Sequence, residues 1–242
     1  LNSNANKKVI WIHNDYKIKY KNEFKFRVLF NLGKIKYKNF DEIVAVSEGV
    51  KESFKELTGL TAKKVIPNYI NTDEILKKSE EDVDFHVDDD NINFCFLGRL
   101  VYQKGLDLLF PIIKEYKENN EEFQLYIIGD GPLKDKLINQ VEELDLFDNI
   151  TFLGAKKNPF PYLKKCDYLI LNSRYEGQGM VALEAKSLGL KVIMPERLNK
   201  YLNIDYIDIN NLKGVKKFKK KTDKLEDYNS NITEKINKLL GE

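Results

Sequence analysis

The stretch INFCFLG (92–98) is apolar at nearly every position, and GLDLLFPIIKEYKE (105–118) follows it with apolar residues at helical spacing. A strand that is apolar on both faces needs cover on both faces. That points to a parallel sheet between two layers of helices. The unit then recurs. FQLYIIG (123–129) reads as a strand and PLKDKLINQVEEL (132–144) as a helix with proline near its start. NITFLG (149–154) and DYLILNS (167–173) read as strands separated by a short helical PYLKKC, and GMVALEAKSLG (179–189) as a helix ended by Gly189. KVIMP (191–195) and YIDI (206–209) are further strands, and SNITEKINKLLG (230–241) a closing helix capped by Ser or Asn. The expected fold class is α/β, with a doubly wound parallel sheet domain over residues 92–242.

The earlier part is less regular. VIWIH (9–13), EIVAVS (42–47) and KKVIP (63–67) read as strands, residues 18–39 as a basic, aromatic helix, and EGVKESFKEL (48–57) as another helix. These make residues 1–75 a partial second α/β body. Residues 76–91 read as an acidic linker, its SEEDVDFHVDDDN (79–91) too polar for anything but a surface connection. No repeat is visible. The chain opens on the polar, loop-like LNSNANKK without an initiator Met, which reads as part of something longer.

Composition excludes several classes. Lys plus Arg number 40 against 38 Asp plus Glu, a balance that does not describe a nucleic-acid binder. Cys95 and Cys166 each stand in an apolar run and read as reduced core thiols of a cytoplasmic protein. His13 and His86 are far apart, so no metal cluster is expected. No segment has the length of apolar residues that a membrane-spanning helix needs, and no signal peptide is visible.

In an open parallel sheet, ligands bind beyond the carboxyl ends of the strands. GRLVYQKG follows the strand at 92 with Gly98, Arg99 and Lys104. GDGP follows the next with Gly129, Asp130 and Gly131. NSRYEGQG follows the strand at 167 with Glu176, Gly177, Gln178 and Gly179, and runs into a helix that carries Glu184. A helix start attracts an anion, and Arg beside Lys suits a diphosphate. Carboxylates such as Glu176 and Glu184 accept from hydroxyls instead. Phosphates flanked by hydroxyl readers describe a nucleotide sugar. Taken singly, each motif reads as well as a turn, a surface charge pair or a solvated helix glutamate. Their order at successive strand ends is what gives them weight. A G-x-G-x-x-G after the strand at 92 is absent, which argues against an ordinary dinucleotide site.

FLGRLVYQKGLDLL, LYIIGDGPLKDKL, ITFLG and SRYEGQGMVALEAKSLGLKVIMP resemble family 4 of the retaining glycosyltransferases, which have the GT-B fold of two facing Rossmann-like domains. FDEIVAVSEGVKESF and KVIPNYIN resemble the end of that family's acceptor domain and its crossing to the donor domain, and WIHND the segment with its active-site histidine. The resemblance implies retaining sugar transfer from a nucleotide sugar, UDP- or GDP-linked, to a cell-surface glycan or a glycolipid, without a metal or other cofactor. It implies that Arg99 and Lys104 hold the diphosphate, Glu176 the transferred sugar with help from backbone N–H groups near Gly177, Gln178 and Gly179, Glu184 the ribose, and His13 the donor sugar from across the cleft. The sequence departs from the family in several places. The early acceptor-domain strands and first glycine-rich loop have no counterpart, Tyr69 replaces a glycine, Asn71 stands where Asp is common, and ERLNKYLNIDYIDI replaces a glycine-rich stretch.

Two basic runs remain. KIKYKNEFKFRVLFNLGKIKYK (17–38) interleaves cations with aromatics and suits either the surface of a membrane, at the inner face of the plasma membrane, or an ordinary amphipathic helix. KKFKKK (216–221) is expected to be a solvated loop. The competing functional class is a non-catalytic nucleotide-sugar-binding or partner-binding module of the same fold.

Overall fold

The apolar runs do form strands with cover on both faces. The computed structural model describes residues 7–118 and 122–241; residues 1–6, expected as part of a polar loop, lie outside it. The first body contains β1 (Val9–Ile12), α1 (Lys17–Asn22), α2 (Phe24–Gly33), β2 (Glu42–Ala45), α3 (Glu48–Thr58), β3 (Lys64–Val65) and α4 (Thr72–Ser79). The second contains β4 (Ile92–Leu97), α5 (Leu106–Glu118), β5 (Phe123–Ile128), α6 (Lys134–Glu143), β6 (Ile150–Gly154), α7 (Phe160–Lys165), β7 (Tyr168–Ile170), α8 (Met180–Ser187), β8 (Lys191–Met194), α9 (Asn199–Leu202), β9 (Ile207–Asp208) and α10 (Glu226–Leu240). All strand pairs are parallel, in a three-stranded sheet β1-β2-β3 and a six-stranded sheet β6-β5-β4-β7-β8-β9. The larger sheet reverses direction of winding between β4 and β7, which is its topological switch point.

Alternation along each strand splits the interior into two cores. Phe94, Phe96, Leu125, Ile127, Tyr168, Ile170 and Ile193 face α5 and α6. Their neighbours Cys95, Tyr126, Ile128, Leu169, Leu171, Val192 and Met194 face α8 and join Val46, Val50 and Phe54 of the first body. One continuous core therefore fastens the two bodies together. Both cysteines are buried and unbridged. In α5, Pro111 cannot donate to the carbonyl of Asp107, one turn earlier. Gln140 Nε2 of α6 donates to that carbonyl instead, at 2.9 Å.

Several expectations need correction. Residues 18–39 are not one helix: Glu23 is extended between α1 and α2, and residues 34–39 form a 3-10 turn. The closing helix starts at Glu226, and Leu225 in the left-handed region caps it without a side-chain bond, so neither Ser nor Asn has that role. This helix packs on the first sheet, where Ile232 and Leu239 meet Val44 and Ile66. Helix α4 was not foreseen. Its cap Asn71 accepts from Glu74 N at 3.1 Å, and Asn71 Nδ2 donates to Glu74 Oε2 at 3.2 Å, a side-chain cap that N-T-D-E spells in the sequence. The acidic connection is anchored by Phe85, buried edge-on against Tyr126 at 4.9 Å between ring centroids. The KKFKKK run is not simply solvated. Lys217 pairs with buried Asp167 at 2.8 Å, Phe218 packs on Tyr168, and Lys220 donates to the carbonyls of Lys164 and Cys166 at the end of α7. Burial holds the Lys220 ammonium below the ordinary lysine value.

Phe85→Ala tests whether the connection is part of the folded core. Large-to-small changes at buried aromatic sites cost about 3–5 kcal/mol, so the urea midpoint is expected to fall accordingly; a midpoint within error of the wild type would show a loosely tethered connection.

Candidate functional site

The site lies where β4 and β7 part. Gly98 to Gly105 continue β4, and Asn172 to Gly179 continue β7. Five hydrogen bonds join these two loops. Arg174 N donates to Gln103 O at 2.7 Å, Gln103 Nε2 to Tyr175 O at 3.1 Å, and Asn172 Nδ2 to Gly105 O at 3.1 Å. Arg174 Nη1 donates to Tyr102 O at 2.7 Å. The fifth bond is the central one. Lys104 Nζ donates to Glu176 Oε1 at 2.7 Å, and Ser173 Oγ donates to the same oxygen at 2.5 Å. Glu176 is buried, and these two donors compensate its charge.

Behind this pair sits a brace that the sequence reading did not foresee. Arg174 forks onto both oxygens of Asp107, at 2.8 and 2.6 Å, and its guanidinium lies 3.9 Å from the Tyr102 ring centre. The Arg174 guanidinium holds the Asp107 carboxyl below the usual carboxylate range. Only the late-sequence position of Arg174, two residues before Glu176, could have hinted at it.

The other expected residues fall around this centre. Arg99 is exposed and makes no side-chain hydrogen bond or ion pair among the described residues. Gly129 stacks so closely on Gly98 that a Cβ on it would meet Gly98 O at 1.9 Å. Asp130 accepts from Gly131 N at 2.7 Å, and its carbonyl accepts from Leu100 N at 2.9 Å, so the GDGP turn buttresses the Arg99 loop. Gln178 works through its side chain. Its Oε1 accepts from Asn68 N at 2.6 Å and its Nε2 donates to Tyr228 Oη at 2.5 Å, tying the turn to the first body and to α10. Gly179, at φ 67°, starts α8 with no side-chain cap.

His13 reaches the site from β1. Its side chain is exposed, and its carbonyl oxygen would lie 2.0 Å from a Cβ on Gly177. Only glycine permits that approach. Ser47 Oγ donates to Gly177 O at 2.6 Å while accepting from Val50 N as the cap of α3. Beside this contact, a cavity of about 220 Å³ separates α1 and α3 from the turn, lined by Asp15, Ser53, Arg174, Tyr175, Arg197 and Tyr201 among others. Asp15 is buried and accepts from Ser53 Oγ, Tyr201 Oη and Lys17 N. Burial, and then the bond to Asp15, raise Tyr201 far above the usual phenol value. Arg197 donates to Ser173 O at 3.2 Å, and burial lowers its pKa.

Glu184 differs from Glu176 and Asp15. It lies in the second turn of α8, is half-buried, and its carboxylate makes no hydrogen bond or ion pair among the described residues. Burial alone raises its pKa above 4.5.

With the fold and this geometry in hand, the comparisons with known proteins place the chain. Residues 77–199, half of it, match the family described as glycosyl transferases group 1. The chain belongs to that family. It is 32% identical over 198 residues to an uncharacterised glycosyltransferase of Methanocaldococcus jannaschii, covering 79% of this chain and 48% of the relative. It is 30% identical over 175 residues to the N-acetylgalactosamine-N,N'-diacetylbacillosaminyl-diphospho-undecaprenol 4-alpha-N-acetylgalactosaminyltransferase of Campylobacter jejuni, covering 72% of this chain and 46% of that one. The chain thus spans about half the length of the curated relatives it matches. Among solved structures, Anabaena HepE in complex with UDP and glucose superposes with a TM-score of 0.59 at 20% identity, over 78% of this chain and 52% of that one. TarM gives a TM-score of 0.64 at 18% identity, over 98% and 45%. The fold is that of the GT-B glycosyltransferases.

Three substitutions probe the site. Gly177→Ala puts a methyl group against His13 O and is expected to cost about 1–3 kcal/mol of stability, read by denaturant unfolding. Asp107→Asn breaks the fork to Arg174 and is expected to cost about 1 kcal/mol at neutral pH. Because the folded-state pKa of Asp107 is depressed, that contribution is present above its unfolded value and lost as pH falls through the folded one. The wild type should therefore lose its advantage over Asp107→Asn in acid. Glu184 has the opposite sign. Its folded-state pKa is raised, so the chain loses stability as pH rises from about 4.5 through the folded value. Glu184→Gln, which cannot ionise, is expected to raise Tm at pH 7 and leave it unchanged in acid.

Proposed function

We propose that this chain is the donor-binding half, with the end of the acceptor half, of a family 4 glycosyltransferase that moves a sugar from a nucleoside diphosphate to a glycan or lipid-linked acceptor with retention of anomeric configuration. The observation that carries the reading is the buried Glu176 held by Lys104 and Ser173 at the switch point, with Arg99 exposed on the same loop as Lys104. In the reaction, the bond between the anomeric carbon and the β-phosphate oxygen breaks, the acceptor oxygen bonds to that carbon on the face the diphosphate leaves, and the acceptor hydroxyl's proton passes to the departing diphosphate. Arg99 and Lys104 stabilise the charge that develops on the leaving diphosphate. Glu176 accepts from hydroxyls of the transferred sugar, with backbone N–H groups near Gly177, Gln178 and Gly179 alongside it. Glu184 accepts from the ribose hydroxyls, and His13 contacts the sugar from the other side. No metal or further cofactor is assigned a role. The donor is a UDP- or GDP-sugar. The acceptor is met in the cytoplasm at the inner face of the plasma membrane, with residues 17–38 as the contact to it. The relatives include a transferase acting on a diphospho-undecaprenol-linked sugar, which supports a lipid-linked acceptor.

The pairing of Lys104 with Glu176 has an energetic consequence. A diphosphate that draws Lys104 away leaves Glu176 buried with Ser173 as its remaining donor. A sugar hydroxyl restores the missing bond. Hydrogen bonds to charged groups contribute about 1.5–3 kcal/mol, so the nucleotide sugar is expected to bind roughly tenfold or more tighter than its nucleoside diphosphate. The same bond range makes Arg99→Ala with Lys104→Ala cost at least about a hundredfold in affinity. Calorimetry with UDP, GDP, ADP, CMP and the corresponding sugars reads both effects. Failure of a folded chain to bind any of them would favour the non-catalytic module.

A further inference from the structure

Helix α10 has two faces of opposite character. Ile232, Ile236 and Leu239 pack toward the first sheet. Glu226, Asn229, Ser230 and Thr233 stand at i, i+3, i+4 and i+7 and so form a polar row along the helix. That row borders a groove of about 440 Å³, whose other wall is Tyr69, Thr72 and Asp73 at the start of α4. Small-molecule sites have volumes of about 300–1,000 Å³. No residue lining the groove also lines the cavity beside the candidate site.

The walls of the groove are fastened to each other. Asn229 Oδ1 accepts from Ile70 N at 3.2 Å, and its Nδ2 donates to Ile70 O at 2.9 Å. Thr72 Oγ1 donates to Lys224 O at 2.9 Å, and Tyr228 Oη donates to Asn68 O at 3.0 Å beside them. The segments 68–72 and 224–229, which cross between the bodies, therefore run side by side with the groove formed between them. Inside it, the Tyr69 phenol, the Ser230 hydroxyl and the Glu226 carboxylate make no hydrogen bond or ion pair among the described residues. Thr233 Oγ1 donates to Asn229 O and keeps its capacity to accept. The Tyr69 side chain is 59% exposed, and it stands where the resembling family has glycine, so this aromatic wall is a feature of this chain.

Charge narrows what the groove can hold. Its one lysine, Lys224, lies 3.7 Å from Asp73, and Glu226 is the remaining charge in the lining. A single ammonium beside a carboxylate is a poor phosphate site, and the same ammonium repels a cationic ligand. Hydroxyls, a carboxylate acceptor and an open aromatic face are left. A neutral sugar matches all three: its C–H face covers an aromatic ring, and its hydroxyls both donate and accept.

We propose that this groove is a carbohydrate site separate from the candidate donor site, in which a neutral pyranose lies on the Tyr69 ring and hydrogen-bonds Glu226, Ser230 and Thr233. A sugar held there bridges the two crossing segments. Gln178 ties those same segments, through Asn68 and Tyr228, to the turn of the candidate site. The groove uses none of the residues assigned to the donor, so it stands without the transferase reading.

Amide NMR titration of the intact protein tests the proposal, with the methyl α-glycosides of glucose, galactose, mannose and N-acetylglucosamine as probes. At least one glycoside is expected to shift the amides of Tyr69, Ser230 and Thr233 saturably, and to do so equally in the Arg99→Ala, Lys104→Ala variant. Tyr69→Ala removes the apolar face and is expected to weaken this binding roughly tenfold. Tyr69→Phe is expected to keep most of it, and Glu226→Gln to weaken it several-fold. Tyr69 and Glu226 are exposed, so all three variants should keep the wild-type Tm. Absence of a saturable shift at the groove amides with every probe overturns the proposal. Shifts confined to residues 172–179 also overturn it, since they report sugar in the candidate donor site alone. So does a larger groove response to inorganic phosphate or spermidine than to any glycoside, or wild-type affinity in Tyr69→Ala. Should Tyr69→Ala lose stability, Glu226→Gln decides, and unchanged affinity there overturns the assignment.

Discussion

The turn from Asn172 to Gly179 is the point on which the two bodies of this molecule close. Its Gly177 lies against the carbonyl of His13, and Ser47 donates to Gly177 O from the start of α3. Gln178 binds Asn68 and Tyr228. From the other side, the loop after β4 holds it through Gln103, Lys104 and the Arg174–Asp107 fork. A turn held from so many directions has little freedom, and little of it is stabilised by the turn's own residues. Preorganisation of this kind is what fixed polar groups need in order to act on developing charge without reorganising first.

The parallel sheet makes that convergence possible. Every strand of the larger sheet ends at the same edge, so the loops after β4, β5 and β7 meet there without further design. Alternation within the strands decides the rest. Phe94 and Phe96 turn to α5 and α6 while Cys95 turns to the first body, so a single strand serves both cores. The approach of the two bodies is consequently set by apolar packing, and the polar contacts of the turn are added to a spacing already fixed.

The strands were legible because a doubly covered strand must be apolar throughout, and the candidate residues stood out because glycines and charges gather at strand ends. What the sequence concealed is contact between distant segments. Nothing near Lys104 announces that its partner is Glu176, and nothing near Gln178 announces Asn68. The KKFKKK run was misjudged for the same reason: Asp167 and the last carbonyls of α7 supply its partners from elsewhere in the chain. The α4 cap is legible in N-T-D-E, but the acidic composition beyond it reads as a linker. Helix α10 was placed with the second body by chain order, whereas Ile232 and Leu239 pack on the first sheet.

Three of the carboxylates near the turn differ in how far the fold satisfies them. Asp15 has three donors and sits in the join between α3 and α9, so its charge is spent on structure. Glu176 has two donors on one oxygen, one of them a lysine that a phosphate would attract, so its satisfaction is exchangeable. Glu184 has none, and burial raises its pKa. A folding constraint alone would favour glutamine or an apolar residue at that position, since a carboxylate without a partner costs free energy there. The gradient from satisfied to exchangeable to unpartnered runs from Asp15 at the join of the bodies, through Glu176 in the turn, to Glu184 in the second turn of α8. Glu176 and Glu184 are thus the carboxylates near the turn whose charge the fold itself satisfies least.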